Sequence, residues 1–130
     1  MELGIRGEAS LVVNGSNTAQ AMKSGLLPVF ATPMMVALME DAAAKSVQPY
    51  LKDGQTTVGT LVNVKHLSAT PEGVAVSAQS ELIEIDGRRL VFSVSARDAS
   101  GPIGEGTHER FIVDAARFME KTKAKKQAEQ

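Results

Sequence analysis

The chain has 130 residues, 43% of them hydrophobic and 22% charged, which is material for one core with a sheet and one or two helices but not for two independent cores. Lys plus Arg number 14 and Asp plus Glu 15, and the resulting net charge of −1 excludes the strongly basic balance of a nucleic-acid binder. Cysteine is absent, which excludes disulfides, thiol catalysis and thiolate metal sites, and imidazole chemistry falls to His66 or His108 alone.

The first residues, Met1 to Glu8, lack the basic start and apolar run of a signal peptide. No stretch reaches the ~18 uninterrupted apolar residues of a membrane helix, so a cytoplasmic location and no membrane partner are expected. Leu3 to Val13 reads as a strand, Asn14 to Asn17 as a turn, and Thr18 to Ser24 as a helical turn closed by Gly25. Leu26-Leu27-Pro28-Val29-Phe30 is apolar and interrupted by proline, suited to a lid or lead-in. Thr32-Pro33 opens the clearest helix, predicted over about 33–49, with Thr32 as N-cap, Pro33 at the first helical position and Pro49 at the end. It is apolar nearly all round through Met39, which predicts burial on most sides under a wrapping sheet.

After Asp53-Gly54 the period becomes two: Val58, Thr60, Val62, Val64 and His66 alternate with Gly59, Leu61, Asn63 and Lys65. Pro71-Glu72-Gly73 marks a turn, Val74 to Ile85 a strand, and Asp86-Gly87 a hairpin into the strand Arg89 to Arg97. Ala99 to Pro102 is the next turn and Ile103 to Val113 the last strand. Ala115 to Gln127 is predicted to be a C-terminal helix, with about 121–130 a solvated, frayed, Lys-rich tail. The expectation is an α+β fold, a single domain over 1–130, with about five antiparallel strands around one long helix. An exposed sheet edge makes strand-to-strand dimerisation reasonable.

Glu40, His66, His108 and the N-cap candidate Thr32, whose hydroxyl could also donate, stand out chemically. Glu40 follows six apolar helical residues and lies on broadly the same side of the helix as Thr32. It either begins the solvated half with Asp41 or stands as a carboxylate at the edge of an apolar cavity. His66 is in phase with Val58, Val62 and Val64, either as a rim histidine or as a proton carrier. His108 shares a face with Arg110 in a segment whose two glycines, Gly104 and Gly106, suggest close backbone approach. Met34, Met35 and Met39 suit a cavity of irregular shape. Two scattered histidines without close acidic companions give only a weak metal signal, and none is expected.

Phe30-Ala31-Thr32, Met35-Val36, Leu38-Met39-Glu40, His66 with Ala69-Thr70-Pro71 and Gly73, Gly87-Arg88-Arg89-Leu90, and Gly106-Thr107-His108-Glu109-Arg110 follow in order over about residues 26–120. In this the chain resembles the fluoroacetyl-CoA thioesterase-like branch of the hot-dog thioesterases. The resemblance implies a hot-dog fold and a homodimer, or a tetramer, hydrolysing acyl-CoA thioesters. It implies no cofactor beyond the coenzyme A of the substrate. It assigns the family's catalytic Thr, Glu and His to Thr32, Glu40 and His66, and the glycine beside the substrate carbonyl to Gly59. Thr60, Leu26, Phe30 and Met35 are the further substrate-binding candidates. The family's sites lie at the dimer interface, where helix residues of one subunit meet strand residues of its partner.

Two departures bear on chemistry. Pro33 stands where the branch often has Gly, and without an N–H it cannot donate to an oxyanion. Leu26 stands where the fluoroacetyl-selective member has an aromatic residue, which points to a short-chain or small aromatic acyl group instead. Lys65, Arg88, Arg89 and Arg110 are candidates for the coenzyme A phosphates. The competing readings are an enoyl-thioester hydratase or dehydratase of the same fold, whose usual Asp and His spacing is not found, and a non-catalytic acyl-CoA-binding module.

Overall fold

A computed structural model describes residues 1–128 of the chain; the last two residues of the expected tail lie outside the described residues. Strand β1 spans Arg6–Val12, a single-turn helix α1 Ala19–Met22, and the long helix α2 Thr32–Val47, continued by a 3-10 turn at Gln48–Tyr50. Strands β2 (Gln55–His66), β3 (Ala75–Asp86), β4 (Arg89–Asp98) and β5 (Gly101–Asp114) follow. Helix α3 (Ala115–Lys123), capped by the Asp114 carboxylate on the Arg117 N–H, and a last turn α4 (Lys125–Ala128) end the described chain.

All pairings are antiparallel, in the order β1-β3-β4-β5-β2. The predicted elements are all present, but the four later strands are not successive neighbours. Only β3, β4 and β5 form a meander; β2 pairs with β5 and ends the sheet. The link from β2 to β3, residues 67–74, therefore crosses from one side of the sheet to the other. It is stitched to the chain just before α2, where the Phe30 N–H donates to Thr70 O at 2.8 Å, and to the chain just past the end of β1, where the Gly73 N–H donates to Val13 O at 2.8 Å. The buried Thr70 hydroxyl donates to Asp98 Oδ2 at 2.8 Å, tying the crossover to the end of β4.

The inner face of the sheet packs on α2. Val76, Ala78, Leu82, Leu90, Phe92, Val94, Ala96 and Ile103 meet Met35, Leu38, Met39, Ala43 and Val47 in one core. The helix is less enclosed than its composition predicts. Thr32, Pro33 and Ala37 are exposed, and Met34, Val36 and Glu40 are half-buried, because the sheet covers one flank and leaves the other open.

An irregularity in β2 decides which residues face inward. Gly59 pairs with Arg110 and Leu61 with Glu109, so Thr60 is an extra residue that bulges from the strand. One inserted residue reverses the alternation, so Val58 faces outward opposite Phe111. Gly59, not Val58, shares the inner face with Val62, Val64 and His66.

Candidate active site

The start of α2 sets the first pair. Ala31, not Thr32, is the N-cap, and its carbonyl accepts from the Met34 and Met35 N–H groups at 3.1 and 3.0 Å. Thr32 is the first helical residue, followed by Pro33, which has no N–H to satisfy. Its hydroxyl is thus free of capping and lies 2.7 Å from His66 Nδ1, at the end of β2. The His66 ring meets Phe30 edge-on, with centroids 6.5 Å apart. Burial pushes the His66 pKa below its usual value, against a weaker upward pull from a backbone hydrogen bond with Ser68. A lowered pKa favours the neutral ring that can take a proton. His66 Nε2 is buried without a hydrogen-bond partner among the described residues. Thr32, His66 and Phe30 line a cavity of ≈ 280 Å³ whose other walls include Val29, Leu67 and Ala69.

The second set lies two turns further along α2, about 12 Å down the axis. Glu40 Oε2 is 3.7 Å from Arg110 Nη1 in an ion pair whose cation is nearly buried. The neighbouring Asp41 does what a solvated residue does, pairing with Lys45 across one turn at 3.0 Å. Gly59 makes the approach of Glu40 to β2 possible: a Cβ there would stand 2.7 Å from Glu40 Oε2 and 3.3 Å from both Arg110 Nη1 and His108 Cε1. We expect Gly59→Ala to displace the flexible Glu40 carboxylate rather than the fold. Turnover should fall by about 10²-fold, with a melting temperature close to wild type; an unchanged rate would show that this approach is not needed.

Within one chain, therefore, Thr32 and His66 touch each other, Glu40 and Gly59 touch each other, and the two sets stand apart. Of the substrate-binding candidates, Leu26 is 90% exposed and does not line the cavity, and Thr60 is the bulge residue, its hydroxyl donating to Glu109 O at 3.2 Å. Phe30 forms the cavity floor. Met35 does not line it: the side chain is fully buried, and the missing Cβ of Gly104 makes room for its sulfur.

The structure corrects one of the phosphate candidates and engages another in ion pairs. Arg110 is 8% exposed and committed to Thr57 through Nε–H donation to Oγ1 at 2.7 Å and Nη2–H donation to the carbonyl at 3.1 Å. Arg89 is held by Glu109 and Glu84, each at 2.7 Å, and these bonds raise its pKa further. Lys65 and Arg88 remain exposed and carry no ion pair among the described residues. The sequence missed that Arg110 and His108 line the inner face. The available signal was their phase: Gly104, Gly106, His108 and Arg110 alternate along β5 on the face that Met35 and Gly59 require.

Residues 13–116 match the family of fluoroacetyl-CoA-specific thioesterases. The chain belongs to this family. The fluoroacetyl-CoA thioesterase of Streptantibioticus cattleyicolor is 44% identical over 97 residues, 75% of this chain and 70% of that protein. A solved fluoroacetyl-CoA thioesterase superposes with a TM-score of 0.90 at 37% identity, over 96% of this chain and 97% of the other. A thioesterase superfamily member of Thermus thermophilus does so with a TM-score of 0.90 at 28% identity, over 98% and 94%. The protein is thus a thioester hydrolase with the hot-dog fold, as the sequence motifs imply.

Proposed function

We propose that this thioesterase hydrolyses acyl-CoA esters of short or small aromatic acids at a site shared by two protomers, with Glu40, His66 and Thr32 as the reacting set. The separation of that set within one chain, with Thr32 beside His66 and Glu40 beside Gly59, carries the reading. β2 is a free edge, with a continuous exposed run at 59–63 that includes Leu61 and Val62. Such an edge invites pairing with a second copy. An antiparallel pairing about a twofold axis between Val62 and Asn63 sets Gly59 opposite His66 of the second copy. One copy's Glu40 and Gly59 then face the other's Thr32 and His66, and the open flank of α2 is covered.

In that composite site the thioester carbonyl lies by the Gly59–Thr60 bulge, whose extra residue leaves an N–H outside the ladder to polarise it. Glu40 attacks the carbonyl carbon, or takes a proton from the water that does. The C–S bond breaks and the thiolate leaves. In the first case neutral His66 takes a proton from the water that then opens the Glu40 anhydride and hands it to the thiolate, freeing the acid; in the second the proton on Glu40 passes through His66 to the thiolate. Thr32 holds the ring through Nδ1 and leaves Nε2 facing the reaction. No resident cofactor is used; coenzyme A enters and leaves with the substrate, and Lys65 and Arg88 are the cations left to meet its phosphates. Coenzyme A esters carry several phosphate charges and do not cross membranes unaided, so we place the enzyme in the cytoplasm. No described helix is long and apolar enough to cross a membrane.

A related thioesterase has been solved with fluoroacetate and CoA, at 38% identity and a TM-score of 0.83 over 91% of this chain. Leu26 in the lid nonetheless argues for a less selective acyl site here. Thiol release from fluoroacetyl-, acetyl-, butyryl- and benzoyl-CoA tests the reading, with release expected from several of them. Silence across that panel would refute it, and water addition to an enoyl ester without thiol release would point to a hydratase.

A further inference from the structure

His108 has no part in the chemistry above, yet it is 1% exposed and every polar atom of its ring is engaged. Nδ1 lies 2.8 Å from Leu61 O, and a carbonyl can only accept, so Nδ1 carries the proton. Nε2 then bears a lone pair and accepts from Arg110 Nη1 at 3.2 Å. The ring stacks on Phe92 with centroids 6.2 Å apart. Burial lowers its pKa most, and the charge of Arg110 acts in the same direction. The Leu61 bond and the carboxylates of Glu40 and Glu109 oppose both.

Arg110 gives Nε and Nη2 to Thr57, leaving Nη1 between His108 Nε2 and Glu40 Oε2. We infer that His108 is a positioning residue for hydrolysis: its two ring nitrogens lock the β2 backbone at Leu61, just past the bulge, to the guanidinium that faces Glu40. Bulge and carboxylate are the two sides of the space where the thioester carbonyl is placed, so a neutral ring bridging them fixes their separation. The inference rests on Glu40 as the reacting carboxylate.

The two nitrogens can be removed separately. In His108→Asn the amide nitrogen replaces Nδ1 and keeps the Leu61 bond, whereas in His108→Gln the amide oxygen replaces Nε2 and keeps the Arg110 bond. His108→Phe loses both and keeps the ring on Phe92. The expected result is a kcat about 30-fold below wild type for H108F, with KM within about twofold, and intermediate losses for H108N and H108Q, since the missing bonds act on alignment rather than on substrate binding. A cooperatively melting H108F with wild-type kcat overturns the inference, as does a loss confined to KM.

A second measurement needs no variant. With two histidines, ring-nitrogen NMR of the wild type gives two pairs of signals. From about pH 8 down to the pH at which an exposed histidine becomes charged, His108 should keep a protonated Nδ1 and a bare Nε2, because burial lowers its pKa. A protonated Nε2 at the upper end of that range removes the acceptor for Arg110 and overturns the inference. Glu40→Gln assayed alongside separates the layers. An active E40Q overturns the reading of Glu40 and the inference with it, whereas an inactive E40Q beside a fully active H108F overturns the positioning role alone.

Discussion

Replacing Glu40 by Gln lowers kcat for thiol release by about 10³-fold, the scale of losing a positioned acid, base or nucleophile, and leaves KM and the fold near wild type. The substitution is isosteric, so the space beside Gly59 stays filled and the core of α2 is not disturbed. Arg110 keeps its two bonds to Thr57 and its bond to His108 when the carboxylate goes, so its burial is not left without partners. What changes is chemistry: an amide neither attacks a thioester at a useful rate nor takes a proton from water. Asp41→Asn is the matched control. Asp41 sits one position along the same helix but makes only the surface pair with Lys45, and exposed pairs of this kind contribute little. Wild-type turnover is expected there. Steady-state thiol release on an ester that the wild type cleaves decides the matter, and an E40Q rate within a fewfold of wild type would end the assignment.

Glu40 shows how far the sequence is legible. Its distance from Thr32 along the helix could be read directly, because helical geometry is local. Which side of Glu40 met another element could not, since that depends on how β5 and the β2 bulge approach. The same division runs through the fold. The strand limits and the Asp86-Gly87 hairpin follow from alternation and turn residues, both local signals. The place of β2 beside β5 does not, because a turn signal such as Pro71-Glu72-Gly73 marks a change of direction but not which strand lies next to which. The bulge at Thr60 is the costliest omission. Strict alternation puts Val58 inward with His66, whereas the extra residue turns Gly59 inward and opens the approach to Glu40. The resemblance to a family implies Gly59 beside the substrate carbonyl; the structure shows that the bulge turns Gly59 toward Glu40. Arg110 misled for a different reason. A lone arginine in a polar strand reads as solvent-facing, and only its opposition to Gly59 across the ladder shows why the position is enclosed.

Because Thr32 and His66 stand apart from Glu40 within one chain, a composite site makes an unusual demand on mixed dimers. Glu40→Gln and His66→Asn, each purified alone, are expected to be close to background, since every site in either homodimer lacks one reacting group. In a heterodimer isolated through two different tags, one site carries both substitutions and the other carries neither. The intact site combines Glu40 of the H66N chain with Thr32 and His66 of the E40Q chain, so about half of wild-type activity returns per dimer. A site contained in a single chain cannot behave this way, because each chain of the heterodimer would still lack one group and the mixture would stay at background. The result also bears on which edge pairs. Val62→Arg places a buried, unpaired charge beside its own copy when β2 meets β2, and should abolish both dimer formation and the recovered activity. Docking through the other edge, β1, leaves Val62 in solvent, and the same substitution would then leave mass and rate unchanged. Light scattering for the mass and thiol release for the rate, on the same samples, read both outcomes together.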